Sequence, residues 1–324
     1  MTTATHKGER VHPSWATRFW AVVRYELLWN IRKKKFLGMI IVALALAIIP
    51  LALSPILYSI IGQPLAKNPN YVVGSGGIGG LVLFLFALVT VMNSVSGEFE
   101  SGTIVPLLTK PVSRTTVFLG KLSAAVITLL PVYVLLFVIQ VIGGTIVYGP
   151  QDNLYLVPLS LLGIIISTLV WMTLILAIGS VSKSSLLAAL GGFLTYIALY
   201  ISSGILSVFS GQAWILTYLP GYGALGYIKG SGPLTMANLS ASVGTGTDSI
   251  AAILVSYVLH PSSVVAFVNL GGLSTTFPQV SPLTVLYTEP LLEVLLTAVA
   301  VALTYIVVFS LISWYALKRA QILE

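Results

Sequence analysis

Six long apolar stretches, at roughly 36–61, 78–97, 117–147, 154–181, 186–210 and 291–317, alternate along the chain with shorter polar segments. A run of about 20 predominantly apolar residues is the length of helix that crosses a bilayer. The pattern therefore predicts six transmembrane helices. Pro50, Pro55, Pro131 and Pro158 fall within or near the ends of these runs; membrane helices accept them when neighbours satisfy the freed carbonyls. A further apolar stretch, 250–269, is a seventh candidate, but His260-Pro261-Ser262-Ser263 divides it into two short arms.

Charge decides between six and seven. With six spans and a cytoplasmic amino terminus, only Lys67 and Lys229 of the 16 Lys and Arg residues lie outside. That is the asymmetry the positive-inside rule expects. A seventh span would carry Lys318 and Arg319 outside, so 250–269 is expected to be re-entrant or interfacial. The chain thus reads as an all-α integral membrane protein, a single transmembrane domain over 1–324. Residues 14–35 form an interfacial helix, 98–116 a cytoplasmic loop between spans two and three, and 211–290 a large insertion outside, before span six. Both termini are cytoplasmic and the expected location is the plasma membrane.

Composition supports this reading. Hydrophobic residues make up 57% of the chain and charged residues 8%, against about 25% charged in a soluble domain. The net charge of +7 is accounted for by topology and lipid headgroups, with no need of nucleic acid. The absence of cysteine excludes disulfides, Cys-ligated zinc and iron–sulfur clusters. His6, His12 and His260 have no metal-ligand spacing, and no metal is expected. The first apolar run follows a long basic stretch and is too long for a signal-peptide core, so it reads as a retained anchor.

Residues 14–32 have helical character, with Pro13 and Ser14 as the start signal. On a 3.6-residue wheel Arg18, Arg24 and Arg32 share a sector of about 120°. Trp15, Phe19, Val22 and Trp29 take the neighbouring face. This describes a helix in the membrane interface that binds lipid and anchors the first span. Glu26 projects among the apolar residues and calls for a basic partner, from this chain or another subunit. Lys33, Lys34 and Lys35 enforce topology.

The densest polar stretch is SGEFESGTIVPLLTKPVSRTTVFLGKL, 96–122. Lys, Arg or Asp at the bilayer centre costs about 2.5–3.5 kcal/mol each on insertion scales. Glu98, Glu100, Lys110, Arg114 and Lys121 therefore cannot be sunk there together. Ile104, Val105, Leu107 and Leu108 nevertheless make an apolar patch between them. A short amphipathic helix at the cytoplasmic surface is predicted, starting at Gly102-Thr103 and ending at Lys110-Pro111. Its acidic residues precede the amino end and Lys110 stands at the carboxyl end, as the helix dipole favours.

This loop resembles that of the membrane subunits of type-2 ABC exporters. The shared pattern is E-x-E-x-G-T, an apolar turn, P-x-S-R, then G-K entering the third span. Here it is carried by Glu98, Glu100, Gly102, Thr103, Pro111, Ser113, Arg114, Gly120 and Lys121. The layout of amino-terminal helix, six spans and outside insertion before the sixth also matches. The resemblance implies that the loop is a coupling helix fitting a cleft on a cytoplasmic P-loop ATPase subunit. The 180–185 loop, with Lys183, corresponds to a second contact. Glu98, Glu100 and Arg114 would then hold the loop's geometry and transmit the stroke; the alternative is that they only hold it at the membrane surface. The resemblance also implies a second membrane subunit, identical or related, with ATP and Mg bound by the partner.

Other features narrow the reading. Gly74-Ser75-Gly76-Gly77-Ile78-Gly79 spells G-x-G-x-x-G, but an apolar run of membrane-crossing length follows in place of a nucleotide-binding unit. No G-x-x-x-x-G-K-[ST] occurs, so a P-loop must come from another polypeptide. No ionisable residue lies near the middle of a span, unlike proton- or sodium-coupled carriers. Asn93 and Gln140 are expected to make interhelical hydrogen bonds. Glu289 and Glu293 sit at the start of the sixth span, where they favour its amino end. A membrane enzyme would gather reactive groups near one interface; Asp152, Asp248, His260, Glu289 and Glu293 are dispersed. The favoured function is thus a permease subunit exporting a lipid-like or amphiphilic substrate. The alternative is a membrane scaffold or enzyme without a transport role.

Overall fold

The computed structural model describes residues 14–32, 34–65, 67–75, 79–103, 113–208, 213–229, 242–268 and 285–319. Among them are six helices long and apolar enough to cross a membrane: Phe36–Ile61, Gly80–Glu100, Arg114–Tyr148, Leu154–Ser182, Ser185–Leu206 and Leu291–Arg319. These first to sixth spans match the predicted ones within a few residues. The agreement has a physical cause: in lipid a lone segment satisfies its backbone only as a helix. Pro158 lies in the first turn of its helix, where no intrahelical N–H bond is lost. Pro50, Pro55 and Pro131 lie inside helices.

The second span is interrupted. Its helix Gly80–Val91 gives way to a turn over 92–95 and resumes as Ser96–Glu100. Asn93 sits exposed in this break. Gln140 is buried in the third span, and its side-chain oxygen has no hydrogen-bond partner. Tyr71-Val72-Val73, before the glycine-rich motif, belongs to a short helix, Tyr71–Ser75.

The fourth span is the axis of the bundle, 67% buried over its central window against 11% for the fifth. Trp171 at its middle is fully enclosed, edge-on to Phe84 of the second span at 5.4 Å between ring centres. Phe84 in turn stacks on Tyr196 of the fifth span at 4.6 Å. Tyr133 of the third span shares a hydrogen bond with Thr168 at 2.7 Å. These rings fill the space between four spans, and their contacts stabilise the packing beyond area burial alone.

The insertion before the sixth span contains a four-stranded antiparallel sheet in the order β2-β1-β3-β4. Its strands are β1 Leu225–Lys229, β2 Ser242–Gly244, β3 Val264–Val268 and β4 Val285–Pro290. Nothing in the apolar periodicity predicts this sheet, whose strands are short and set in Gly-, Ser- and Thr-rich sequence. A 3-10 turn, Thr247–Ser249, leads into the helix Ile250–Leu259. Ten residues rise about 15 Å, too little to span a bilayer, and β3 follows. The seventh candidate is therefore not a span. The helix packs instead against the fourth span, with Ile250 and Ile253 fully buried. Gly163 makes this possible: a Cβ there would lie 2.5 Å from Ala251 Cα.

The amino-terminal helix, Trp15–Arg32, starts at Ser14, whose hydroxyl accepts the Thr17 N–H at 3.3 Å. This is the N-cap arrangement expected of serine. The helix lies along the base of the third span. Val22 meets Gly120, where a Cβ would come within 2.7 Å of Val22 Cγ1. Glu26 meets Lys121 at 2.6 Å, and the Asn30 amide donates to Thr128 at 3.5 Å. Because both contact series advance together, the helix runs beside the third span in the same direction. Trp15, Trp20, Tyr25 and Trp29 remain exposed, as do Arg24 and Arg32.

Candidate coupling site at the base of the spans

The residues of the charged loop converge on four different helices. Glu98, in the resumed part of the second span, accepts from Lys121 at 2.7 Å; the same ammonium reaches Glu26 of the amino-terminal helix at 2.6 Å. Lys121 is nine-tenths or more enclosed, and both carboxylates are largely shielded. One cation thus joins three helices. The partner that Glu26 required is found within the chain.

Glu100 points the other way. It accepts the Ser185 backbone N–H at 2.7 Å, the Ser184 hydroxyl at 3.2 Å and the Ser185 hydroxyl. The first turn of a helix leaves N–H groups unpaired and carries the positive end of the dipole. An acidic side chain from a neighbouring loop satisfies both needs at the start of the fifth span. Phe99, between the two glutamates, has the Lys183 ammonium 5.7 Å from its ring centre. Lys183 itself ends the fourth span in a left-handed conformation, φ 54°. The 96–100 segment therefore meets the 182–185 turn at both Phe99 and Glu100.

Arg114 completes the arrangement at the far end of the loop. Its guanidinium donates to the carbonyls of Leu317 and Lys318 at 3.0 and 2.5 Å, closing the carboxyl end of the sixth span. Trp314 adds an indole N–H bond to Thr115 at 3.0 Å. Ser113 caps the third span, accepting the Thr116 N–H at 3.1 Å. Gly102 takes φ 69°, which glycine adopts without strain, and the Ser101 and Thr103 hydroxyls meet at 2.9 Å beside it. Positions 104–112, with Lys110, Pro111 and the predicted amphipathic helix, lie outside the described residues.

On the amino-terminal helix Arg24 and Arg32 are exposed and Arg18 is half-buried. At the other end of the bundle Glu289 is near Glu293, and burial followed by that neighbouring charge raises the Glu289 carboxyl above its usual range. Among the described residues no three His, Asp or Glu side chains gather to hold a metal.

Sequence reasoning names Asp248 only as one of several dispersed ionisable groups. It lies in the insertion, outside the six spans, yet it is turned into the bundle and largely shielded from water. Its carboxyl accepts the Trp171 indole N–H at 2.8 Å. A lone Asp in a polar stretch gives no hint of this; only the turn that carries it into the bundle reveals it.

A family model described as ABC-2 family transporter protein matches residues 23–202, which take in the whole charged loop, the first four spans and most of the fifth. A search of curated proteins gave no match.

Proposed function

From the premise that the chain belongs to the ABC-2 transporter family, as a membrane permease of an ABC transporter, we propose that it is the membrane half of an exporter driven by ATP bound on a separate subunit. The observation that carries this reading is the fastening of one loop to every neighbouring helix end. Glu98 ties it through Lys121 to the third span and the amino-terminal helix, Glu100 to the fifth span and Arg114 to the sixth. A push that reaches Glu98, Glu100 or Arg114 passes directly to the helices they hold.

In this reading a cytoplasmic P-loop ATPase docks on the 101–113 surface and on the Lys183 turn, and holds the ATP and magnesium. A second membrane subunit, identical or related, faces the weakly enclosed fifth and sixth spans. ATP binding favours one arrangement of the spans only as far as its contacts with the loop differ between the two arrangements. The permease carries no catalytic site of its own. Its interior of Leu, Ile, Val, Phe and Tyr suits a lipid-like or amphiphilic substrate.

The test is gentle purification followed by reconstitution. A P-loop ATPase is expected to accompany the chain, and replacing Glu98 and Glu100 together by Gln is expected to lower ATP-dependent transport while insertion and assembly survive. Transport without any ATPase would overturn the reading. Loss of insertion in the double variant would make the loop a topological anchor instead.

A further inference from the structure

Two glycines at the end of the bundle opposite the charged loop are cut away to admit one turn of the insertion. At Gly80, the start of the second span, a Cβ would fall 2.3 Å from Asp248 Oδ2. At Gly163 of the fourth span it would strike the backbone of Ala251. Between them the 247–249 turn is pinned by Ser167 of the fourth span, whose hydroxyl donates to the Thr247 carbonyl at 2.6 Å, and by Trp171 at Asp248. The Thr247 hydroxyl accepts the Gly221 N–H at 3.0 Å. The result is a wedge, Thr247–Leu259, whose turn is seated between the second and fourth spans, whose helix packs on the fourth and sixth, and whose tip carries a carboxyl group.

The groups around that carboxyl are neutral. The fourth span contains only Tyr155, exposed at its start, β2 contains no ionisable residue, and the second span has none near Gly80. The third and fifth spans present the phenols of Tyr133 and Tyr196, on which the Asp248 charge acts. The 217–223 turn carries Tyr218 and Tyr222, and the wedge helix carries Tyr257. At the start of the sixth span Glu293 acts on Glu289, and at its middle the Tyr305 hydroxyl donates to the Tyr218 carbonyl. Among the described residues no cation meets the Asp248 carboxylate.

We propose that Asp248 is a proton-binding latch: the wedge stays seated while this carboxyl holds a proton and unseats when the proton passes to water. Removal from water disfavours the anion and raises the Asp248 carboxyl to about 7, against the pull of its bonds from Trp171 and Thr247. An unseated, hydrated Asp titrates near its ordinary value of about 3.9. Between those two values the seated form binds more protons, so its stability falls as pH rises and levels off above about 7. Each pH unit in that interval shifts the seated–unseated ratio by up to about tenfold.

The chain has no native cysteine, so a thiol can report the wedge. Ser249→Cys, buried at its tip, is compared with exposed Ser262→Cys, each in the full chain in lipid nanodiscs, by the rate of maleimide labelling from pH 5 to 8. The ratio of the two rates cancels the reagent's own pH dependence. It is expected to climb with pH up to about 7 and then flatten, and to be flat throughout with Asp248→Asn added. A ratio independent of pH with Asp248 present, or an unchanged slope in the Asn variant, overturns the latch. Should Asp248→Asn fail to assemble, Trp171→Phe decides: losing a donor to the anion moves the midpoint upward, and an unmoved midpoint overturns the proposal. The assay needs no ATPase, so its outcome is separate from that of the exporter reading.

Discussion

At the loop end of the bundle Glu26 and Glu98 share the ammonium of Lys121 at 2.6 and 2.7 Å, whereas at the opposite end Asp248 meets an indole N–H, a threonine and two phenols. All three are carboxylates largely withdrawn from water, and withdrawal without a partner is costly. The first two are held as ions by a cation with which they are hydrogen-bonded. The third has only neutral donors and eases its burial by taking up a proton. The difference separates a joint from a switch. A joint must remain paired through every arrangement of the spans, because breaking it strands a charge. A switch is useful because its cost depends on conditions.

The largest effect that tests this contrast is expected from Lys121→Met. It leaves two shielded carboxylates without their cation, and breaking a buried pair typically costs about 3–5 kcal/mol. Thermal unfolding in detergent is expected to fall sharply, with poor assembly of the membrane subunit. Adding Glu26→Gln and Glu98→Gln to the same chain is expected to restore much of the loss, since no ion is then stranded. Asp248→Asn, by contrast, mimics the protonated group and is expected to leave unfolding at neutral pH unchanged or raised. Equal sensitivity at Lys121 and Asp248 would erase the distinction between joint and switch.

Six spans were legible because the bilayer imposes one length and one composition on anything that crosses it. Glu26 was legible as needing a partner, since a carboxylate among Trp15, Phe19 and Val22 conflicts with its face; which residue answered it was not. Lys121 stands 95 residues away, and only the close approach of Val22 to Gly120 brings the two together. Glu100 and Arg114 could be assigned to the loop from their motif, but not to the ends of the fifth and sixth spans, because helix termini are capped across space. The sheet left no trace in the pattern; the wedge showed only as the divided apolar stretch 250–269, and Asp248 only as one of several dispersed carboxylates. Short strands in a Gly- and Ser-rich insertion have neither the alternation nor the length that periodicity can detect.

Gly80→Ala probes the switch end by volume. The added methyl would lie 2.3 Å from Asp248 Oδ2, so either the wedge or the start of the second span must move. Overpacking of this kind costs about 1–3 kcal/mol. Because the strain exists only in the seated form, the Ser249→Cys labelling ratio is expected to rise at every pH while its dependence on pH keeps the same sign. Gly38→Ala, where an added Cβ would meet nothing within 4 Å, serves as the control. A Gly80→Ala chain that labels like its parent would show that the wedge does not depend on that seat.

The smallest effect is expected where the joint is most exposed, at Arg114. Its planar guanidinium reaches two successive carbonyls, Leu317 and Lys318, at the negative end of the sixth span. Lysine keeps the charge, and with it the dipole interaction of about 0.3–1 kcal/mol, but its flexible stem does not hold the donor in place as the rigid guanidinium plane does. The net value of one hydrogen bond is about 0.5–1.5 kcal/mol, and partial exposure reduces what its loss costs. Arg114→Lys is therefore expected to change global unfolding little. Its effect should be local: faster amide exchange over the last turn of the sixth span, where Trp314 still holds Thr115 through its indole. Arg114→Gln, which loses the charge as well, should exchange faster again. If both variants exchange like the parent, the sixth span is held by its packing alone, and the loop has no direct grip on it.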